Sequence, residues 1–180
     1  MAFKVSGSLA PWGGPLLRSE ILASSITVTE LDAVAFGGGG QASANGVLLL
    51  ATAGTAVLGH VKAIVSNLGL GLDTDGTAGA ATGTFAGTFL TATNNSAVAL
   101  VRAQVDISQF TLYSAEYSAA LGTTAGSGRP GRYVDLLDQN TLDEASAIDT
   151  TAQYHSWGVD PSDSTRVIAN IFESSVFTAV

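Results

Sequence analysis

Apolar and polar residues alternate with a period of two in several parts of the chain, which is typical of β-strands that bury one face. The alternation is clearest in residues 97–110. The apolar residues there share one face of the predicted strand: Val101, Ala103, Val105 and Ile107. The polar residues between them occupy the other face: Arg102, Gln104 and Asp106. This strand is therefore predicted to lie between a core and solvent.

Residues 152–180 are predicted to form a β-hairpin. Turn-forming residues around Pro161 separate two stretches that are rich in β-branched and aromatic side chains. The period of two places one set of first-strand residues on one face: Tyr154, Ser156 and Gly158. The alternate set lies on the opposite face: His155, Trp157 and Val159. On the return strand the residues that share a face are Val167, Ala169 and Ile171. An isolated hairpin is only marginally stable in water, so this one is expected to join a larger sheet.

Similar strand patterns occur at residues 16–36, 46–51, 57–68, 84–91 and 133–136, separated by stretches rich in Gly, Thr and Ser. The polar residues 138–150 are expected to form a surface excursion, with a short helix opening at Thr141. No period of 20–50 residues recurs, which disfavours a repeat solenoid. The pattern predicts an all-β fold, a compact barrel or sandwich of eight to ten short strands, with residues 16–180 as one domain.

Residues 1–15 have neither helical nor strand periodicity. Ser6-Gly7-Ser8 and the segment from Pro11 to Pro15 favour flexible or turn conformations, so an extended N-terminal arm is predicted. Phe3 and Trp12 are the large apolar groups of this arm. They either fold back onto their own domain or anchor the arm on a neighbouring subunit, and in the second case they are partner-binding residues.

The charge composition limits the class of partner. Only 12% of residues are charged, against about 25% in an average globular protein. Such a surface fits either a subunit that keeps much of its area against other protein or a Ser/Thr/Asn-rich surface that stays soluble without charge. Seven basic and fifteen acidic residues give a net charge of −8, which argues against nucleic acid, because phosphate binding needs clustered Lys and Arg. The apolar runs are too short to span a membrane, and the start lacks the pattern of a secretory leader.

Three stretches resemble chemical motifs without completing them. Residues 126–131 satisfy the dinucleotide pattern G-x-G-x-x-G, but a strand rather than a helix is predicted to follow. Residues 73–77 match only the start of a calcium loop. The acidic segment 133–165 offers carboxylate pairs, as any solvated acidic face does. There is no cysteine, and His60 and His155 lack motif partners. No catalytic, cofactor-binding or metal-binding residue is therefore predicted, and no enzyme activity.

Arg129 and Arg132 lie in or beside the glycine-rich loop 126–131. They are two of only seven basic residues, and an exposed loop is the expected setting for them. They are predicted to meet acidic groups on a neighbouring protein, which adds them to the candidate partner-binding residues.

The order of several segments resembles the layout of a decoration (cement) protein from the capsid of a tailed bacteriophage. The segments that carry the resemblance are residues 16–21 after a short arm, 105–110, 133–136, 154–161 and 167–174. The resemblance implies an all-β subunit, often a homotrimer, made in the host cytoplasm and placed on the outer surface of the virion. It further implies binding across major capsid protein subunits, which stabilises the capsid.

Two alternatives remain open. The first is another virion surface protein, such as a head fibre, a tail component or a host-glycan adhesin with Trp12, Tyr113 and Trp157 lining a sugar site. The second is a glycoside hydrolase that uses Asp138 and Glu144.

Overall fold

The computed structural model of the chain describes residues 3–9, 15–37, 47–66, 71–72, 78–79, 84–85, 88–91, 101–118, 130–148 and 152–172. Within these ranges every regular element is a β-strand, so the predicted all-β class is confirmed. The same ranges contain no apolar helix of the length that a bilayer crossing requires.

The strands are more numerous and shorter than the expected eight to ten. In chain order they are β1 (Phe3–Ser8), β2 (Leu17–Ile21), β3 (Thr27–Thr29), β4 (Ala33–Phe36), β5 (Leu48–Leu50), β6 (Gly59–Ser66), β7 (Gly71–Leu72), β8 (Ala78–Gly79), β9 (Thr84–Phe85), β10 (Thr88–Leu90), β11 (Val101–Asp106), β12 (Thr111–Tyr117), β13 (Arg132–Asp138), β14 (Thr141–Ile148), β15 (Tyr154–Asp160) and β16 (Asp163–Ile171).

These strands belong to two units. Unit 1 consists of Met1–Pro15, Ala51–Val57 and Ser108–Val180, and unit 2 consists of Leu16–Leu50 and Leu58–Ile107. In unit 1 the N-terminal strand and a mid-chain connector pack with the C-terminal strands, so both units draw on separate parts of the chain. The single domain expected over residues 16–180 stays a prediction.

Unit 1 is built on a closed ring of strands. Hydrogen-bonded neighbours follow the order β12, β14, β13, β15, β16, and β16 pairs again with β12. The β12–β14 contact is parallel and consists of two residue pairs, whereas the other contacts in the ring are antiparallel. β1 pairs with β12 alongside the residues that precede the β14 contact. Closing the ring removes the free edges that an open sheet would expose.

Unit 2 has a ring of its own. Its order is β2, β11, β6, β4, β5, with β9 added beside β6. Leu22, directly after β2, forms a parallel bridge to Leu48 of β5, and the Ala23 amide donates to the Leu48 carbonyl at 2.9 Å. This bridge closes the ring at one end of β2. A separate pair, β3 and β10, completes the unit's ordered strands together with the short β7–β8 pair.

The two rings have the same connectivity. The ring strands of each unit can be numbered from first to fifth in chain order: β12 to β16 in unit 1, and β2, β4, β5, β6 and β11 in unit 2. With this numbering, hydrogen-bonded neighbours in both rings follow the order first, fifth, fourth, second, third and back to first. In both rings the first and third strands are parallel and the other neighbours are antiparallel. The chain thus contains one five-stranded topology twice.

The interiors of the rings differ in character. Unit 1 buries aromatic rings: Phe3 stacks on Tyr154 at a centroid distance of 5.8 Å and meets Tyr113 edge-on at 6.2 Å. Unit 2 buries aliphatic side chains in a cluster made of Leu22, Val28, Val34, Leu48, Leu58, Val61, Ile64, Val101, Ala103 and Val105. Both interiors are apolar, as the burial of one face of each strand requires.

The predicted faces of the terminal hairpin are confirmed. The residues Tyr154, Ser156 and Gly158 are buried, and Trp157 and Val159 are each 46% exposed. On β16 the buried set includes Val167, Ala169 and Ile171, as expected. The period of two therefore gave the correct orientation of this hairpin before any contact was known.

Two local predictions were wrong. The described part of the expected arm, Phe3–Ser8, is a strand, because its backbone pairs with β12 and Phe3 fills the interior of unit 1. The expected excursion after residue 138 is instead β14, which pairs with β13 and buries Leu142. In both places tertiary pairing decided the backbone conformation against a weak local preference.

Candidate binding surfaces

The four predicted partner-binding residues are not brought together by the described structure. Phe3 is 1% exposed and belongs to the interior of unit 1, so its aromatic ring is not available to a neighbouring subunit. Trp12 and Arg129 lie outside the described residues. Arg132 opens β13, opposite Ser156 of β15, and is partly buried. Phe3 is the residue for which the fold-back interpretation is correct.

The residues of the alternative functions are also dispersed. Tyr113 is fully buried, so it cannot line a sugar site, whereas Trp157 remains exposed. Asp138 is the exposed last residue of β13, and its carboxylate accepts the Asn140 amide of the following turn at 2.8 Å. The position of the Glu144 side chain lies outside what the structure describes. Asp138 therefore has the ordinary role of an Asx residue in a turn.

Aromatic side chains gather on the outer face of β13, β15 and the end of β16. The rings form a continuous row, here called the aromatic face: Phe172, Tyr133, His155 and Trp157. The successive centroid distances are 4.6, 5.3 and 5.0 Å, with interplanar angles of 62°, 50° and 90°. Strand register explains the row, since Tyr133 is paired with His155 across the sheet and Trp157 follows His155 on the same face.

Trp157 is fixed at the end of the row. Its indole Nε1 donates a hydrogen bond to Asn170 Oδ1 on β16 at 2.6 Å. Asn170 is itself held, because its Nδ2 donates to the Gln109 carbonyl at 2.7 Å. The neighbouring imidazole is neutral at pH 7, because partial burial lowers the pKa of His155 from its usual 6.5. The aromatic face is thus an ordered and uncharged surface with one well-exposed ring.

β2 offers a second surface, of a different kind. Its residues from Leu17 to Ser19 are exposed, and the adjacent Leu16 is 60% exposed. The Ile107 amide donates to the Leu16 carbonyl, and the Leu22 amide donates to the Val101 carbonyl. In an antiparallel pair, the backbone N–H and C=O groups of alternate residues point toward the partner strand. Because Leu16 and Leu22 bond to β11, the backbone groups of residues 17, 19 and 21 point away from it. No described strand pairs with that side of β2 before the bridge at Leu22.

The charged side chains of β2 are held within unit 2. Arg18 forms an ion pair with Glu20, and its guanidinium lies 5.5 Å from the centre of the Phe36 ring. On the neighbouring strand, Arg102 donates hydrogen bonds to the hydroxyl and carbonyl oxygens of Ser19 at 3.3 and 3.1 Å. The open side of β2 thus combines exposed leucines with anchored charges.

Buried ionic groups in unit 1 serve the fold. Arg166 is 3% exposed; it donates to Ser114 Oγ at 2.9 Å, to the Ser114 carbonyl at 2.6 Å and to Glu116 Oε1 at 2.9 Å. Nearby Asp160 accepts the Ser162 amide and hydroxyl at 2.8 and 2.7 Å. Hydrogen bonds from Ser114 and Ser162, with the charge of Arg166, lower the pKa of Asp160 below 3.8. These groups join β12, β15 and β16.

Unit 2 buries a histidine on its fourth ring strand. His60 is fully buried on β6, and its Nδ1 donates to the Leu31 carbonyl at 2.8 Å. Desolvation lowers the pKa of His60 to about 4, against smaller opposing effects of the Leu31 hydrogen bond and Asp106. Asp106, opposite His60 in the ladder, accepts the Leu16 amide at 3.2 Å. The alternation of residues predicts a solvent-facing Asp106, but Asp106 is fully buried, and the Leu16 amide satisfies one of its carboxylate oxygens.

Neither ionic group forms a metal centre. Among the residues that the structure describes, no group of three or more His, Asp or Glu side chains is arranged to hold a metal ion. The part of the chain that the structure describes offers two candidate surfaces, the open side of β2 and the aromatic face. The sequence indicated Trp157 through its position opposite the buried face of β15, but the pairing of Tyr133 and Phe172 with it required the register.

Comparison with known proteins adds no relative: no family model, no curated protein and no solved structure matches the chain. The functional argument therefore rests on the chain's own residues.

Proposed function

We propose that the protein is a structural component of a tailed-bacteriophage virion that binds the outer surface of the assembled capsid across major capsid protein subunits. In this role it stabilises the shell and needs no cofactor or catalytic residue. The observation that carries the proposal is the open side of β2, where a strand with exposed leucines presents backbone groups to which no described strand is paired. This surface replaces the expected N-terminal arm as the principal contact.

An open strand edge is a template for another strand. An extended segment of a partner can extend the sheet there, with backbone hydrogen bonds providing affinity and neighbouring side chains providing selectivity. Leu16 and Leu17 are 60% and 49% exposed, so apolar side chains of the added segment gain contact area beside the new hydrogen bonds. The occupant that fits is an extended, partly apolar segment of the major capsid protein.

The low charge of the chain supports association with protein over a broad surface. Only 12% of residues are charged, and exposed apolar side chains also occur on β1 and beside it, at Val5 and Leu9. A homotrimer on the lattice would repeat each weak contact three times, and high effective concentration would strengthen the later contacts once the first had formed. Arg132 remains a candidate contact in this proposal, together with Trp12 and Arg129.

A proline on the open side of β2 tests the proposal. Ser19→Pro removes an amide that points away from β11, and proline is tolerated on edge strands, so the unit should remain folded. The expected result is a loss of binding to shells of the parent phage that lack the protein, measured by co-sedimentation and by electron microscopy of the particles. Circular dichroism checks that the variant is folded.

Ser19→Ala is the matched control. It keeps the backbone amide and removes the same hydroxyl contact with Arg102, so its shell binding should equal that of the unchanged protein. Equal binding of Ser19→Pro would rule out strand addition at β2. Electron micrographs that place the protein on fibres or tails, rather than on the capsid lattice, would instead support a different virion surface role.

A further inference from the structure

We propose that the aromatic face of unit 1 is a binding site for a neutral saccharide, with the Trp157 indole as the stacking platform. The site goes beyond capsid binding and does not depend on it. It is carried by the row of Phe172, Tyr133, His155 and Trp157, by the hydrogen bond from Trp157 to Asn170, and by the exposure of the indole.

The hydrogen bond fixes the orientation of the indole. Trp157 is on β15, and the group that receives its Nε1 proton, Asn170 Oδ1, is on the neighbouring strand β16. The indole therefore extends across the sheet surface toward β16, which leaves ring area toward solvent, in agreement with its 46% exposure. A sugar ring has an apolar C–H face of comparable width, and stacking it on an aromatic ring removes apolar area from water on both sides.

The platform is ordered before any ligand arrives. His155 stands at 90° to the indole and 5.0 Å from it, Tyr133 packs against His155 from the other side, and Phe172 packs against Tyr133. Asn170 is held in turn by the Gln109 carbonyl. A ring that is already fixed loses little conformational entropy when a ligand stacks on it, which favours binding of a small, weakly adhering molecule.

The charge of the face selects a neutral ligand. Its rings and Asn170 carry no positive charge at neutral pH, since burial keeps His155 neutral. Anionic sugars, phosphates and nucleic acids would gain no ionic partner from these residues and would meet a protein of net charge −8. The hydroxyl groups of a neutral sugar suit the polar rim at Asn170 and His155.

The size of the face favours a saccharide over a protein partner. Within the aromatic face only Trp157 is well exposed, because Tyr133, His155 and Phe172 are partly buried. Val159, next to Trp157 on the same side of β15, is also exposed. A stable protein interface covers about 800 Å² on each partner, which is far more than one indole and a valine provide. One or two sugar rings match the exposed strip.

Tryptophan fluorescence tests the site directly. The chain has two tryptophans, so Trp12→Phe leaves Trp157 as the sole indole reporter. This variant is titrated with chitotetraose, maltohexaose and cellohexaose, after a screen on an array of neutral glycans. The expected result is a saturable change in Trp157 emission with at least one of them, and a loss of affinity of roughly tenfold or more for Trp157→Ala by calorimetry, equivalent to about 1.4 kcal/mol.

Leu137→Ala is the matched control, because Leu137 is 52% exposed on β13 but lies outside the aromatic row. Its affinity for the same oligosaccharide should be unchanged. If Trp157→Ala fails to fold, His155→Ala takes its place with the same expected loss. The proposal is overturned if the array and all three titrations are blank, or if Trp157→Ala binds as well as the unchanged protein. It is equally overturned if Trp157→Ala loses shell binding while no saccharide binds, since the face would then dock protein.

Discussion

The two units use the same ring of five strands but fill and connect it differently. Unit 1 joins its fourth and fifth ring strands by a tight turn at Pro161 and Ser162, whereas unit 2 places residues 67–100 between the corresponding strands, β6 and β11. The strand order survives this difference. Closure of the ring therefore depends on pairing between strands and tolerates a long insertion, because the entropy cost of closing a loop grows only slowly with loop length.

The parallel contact that closes each ring also differs in extent. In unit 1 it consists of two residue pairs between β12 and β14, and β1 covers the rest of the same side of β12. In unit 2 it is the single bridge between Leu22 and Leu48. The first ring strand is therefore covered along its length in unit 1, whereas in unit 2 no described strand pairs with the corresponding side of β2 before the bridge at Leu22. The surface proposed to bind the shell is thus the position that β1 fills in the other unit.

Ionic groups give the largest expected contrast between the units. Arg166→Ala in unit 1 leaves the hydroxyl and carbonyl oxygens of Ser114 buried without their guanidinium donor, and it removes the ion pair with the half-exposed Glu116. Leaving one buried acceptor without its donor typically costs about 1–3 kcal/mol, so the loss of both Ser114 contacts should lower the free energy of unfolding by about 2–5 kcal/mol in urea denaturation.

Arg18→Ala in unit 2 is the control for this prediction. The Arg18 side chain is 51% exposed, so its ion pair with Glu20 and its contact with Phe36 contribute at most about 1 kcal/mol. Equal losses for the two arginine variants would contradict the view that burial, rather than pairing as such, sets the cost.

Mild acid should lower the stability of unit 2 before that of unit 1. The pKa of His60 is about 4 in the folded chain and near 6.5 when unfolded, so the unfolded state binds the extra proton between these values. The stability contributed by neutral His60 is full above pH 6.5 and is lost as the pH falls toward 4. A shift of this size corresponds to about 3 kcal/mol. Once exchange rates are corrected for the intrinsic pH dependence of amide exchange, the protection of peptides from β6 and β11 should fall over this range.

Unit 1 should respond at a lower pH. The pKa of Asp160 lies below 3.8 in the folded chain, so the stability it contributes is lost only as the pH falls below that value. His60→Asn is the informative variant, because its side-chain amide can replace the donor at Nδ1 without titrating. It should remove most of the loss between pH 6.5 and 4, whereas His155→Asn should leave most of it. An unchanged pH profile for His60→Asn would exclude His60 as the cause.

The sequence predicted which residues of a strand face the core, because this follows from the period of two. Strands with one buried face, such as β11 and β15, were identified with correct orientations, because apolar alternation follows directly from burial. The open side of β2 and the row of Tyr133, His155 and Phe172 were missed, since both depend on which strands become neighbours. Phe3 was uncertain for the same reason: an isolated aromatic residue near a terminus does not specify whether its partner is in the same chain.

The shared topology was also outside the reach of periodicity. Corresponding strands of the two rings lie at unequal separations along the chain, because the insertion between β6 and β11 has no counterpart between β15 and β16. Their interiors are different as well, aromatic in unit 1 and aliphatic in unit 2. A search for a fixed repeat therefore finds nothing, although the pairing pattern is the same.

The first residue of the fourth ring strand provides the smallest and last contrast. In unit 1 this residue is Tyr154, whose ring fills the interior, whereas in unit 2 it is Gly59, against which the β11 backbone packs closely. A Cβ atom at Gly59 would collide with the Asp106 carbonyl oxygen and with Val105 Cγ1. Because backbone atoms cannot swing aside, Gly59→Ala should destabilise unit 2 by about 1–3 kcal/mol, measured by urea denaturation and by exchange in β6 peptides.

Gly7→Ala is a control in a strand of unit 1, since its new Cβ would meet only Leu112 at 4.0 Å, an ordinary contact distance. If both substitutions cost the same, close backbone approach is not what requires glycine at position 59, and the two rings are more alike in their packing than their side chains indicate.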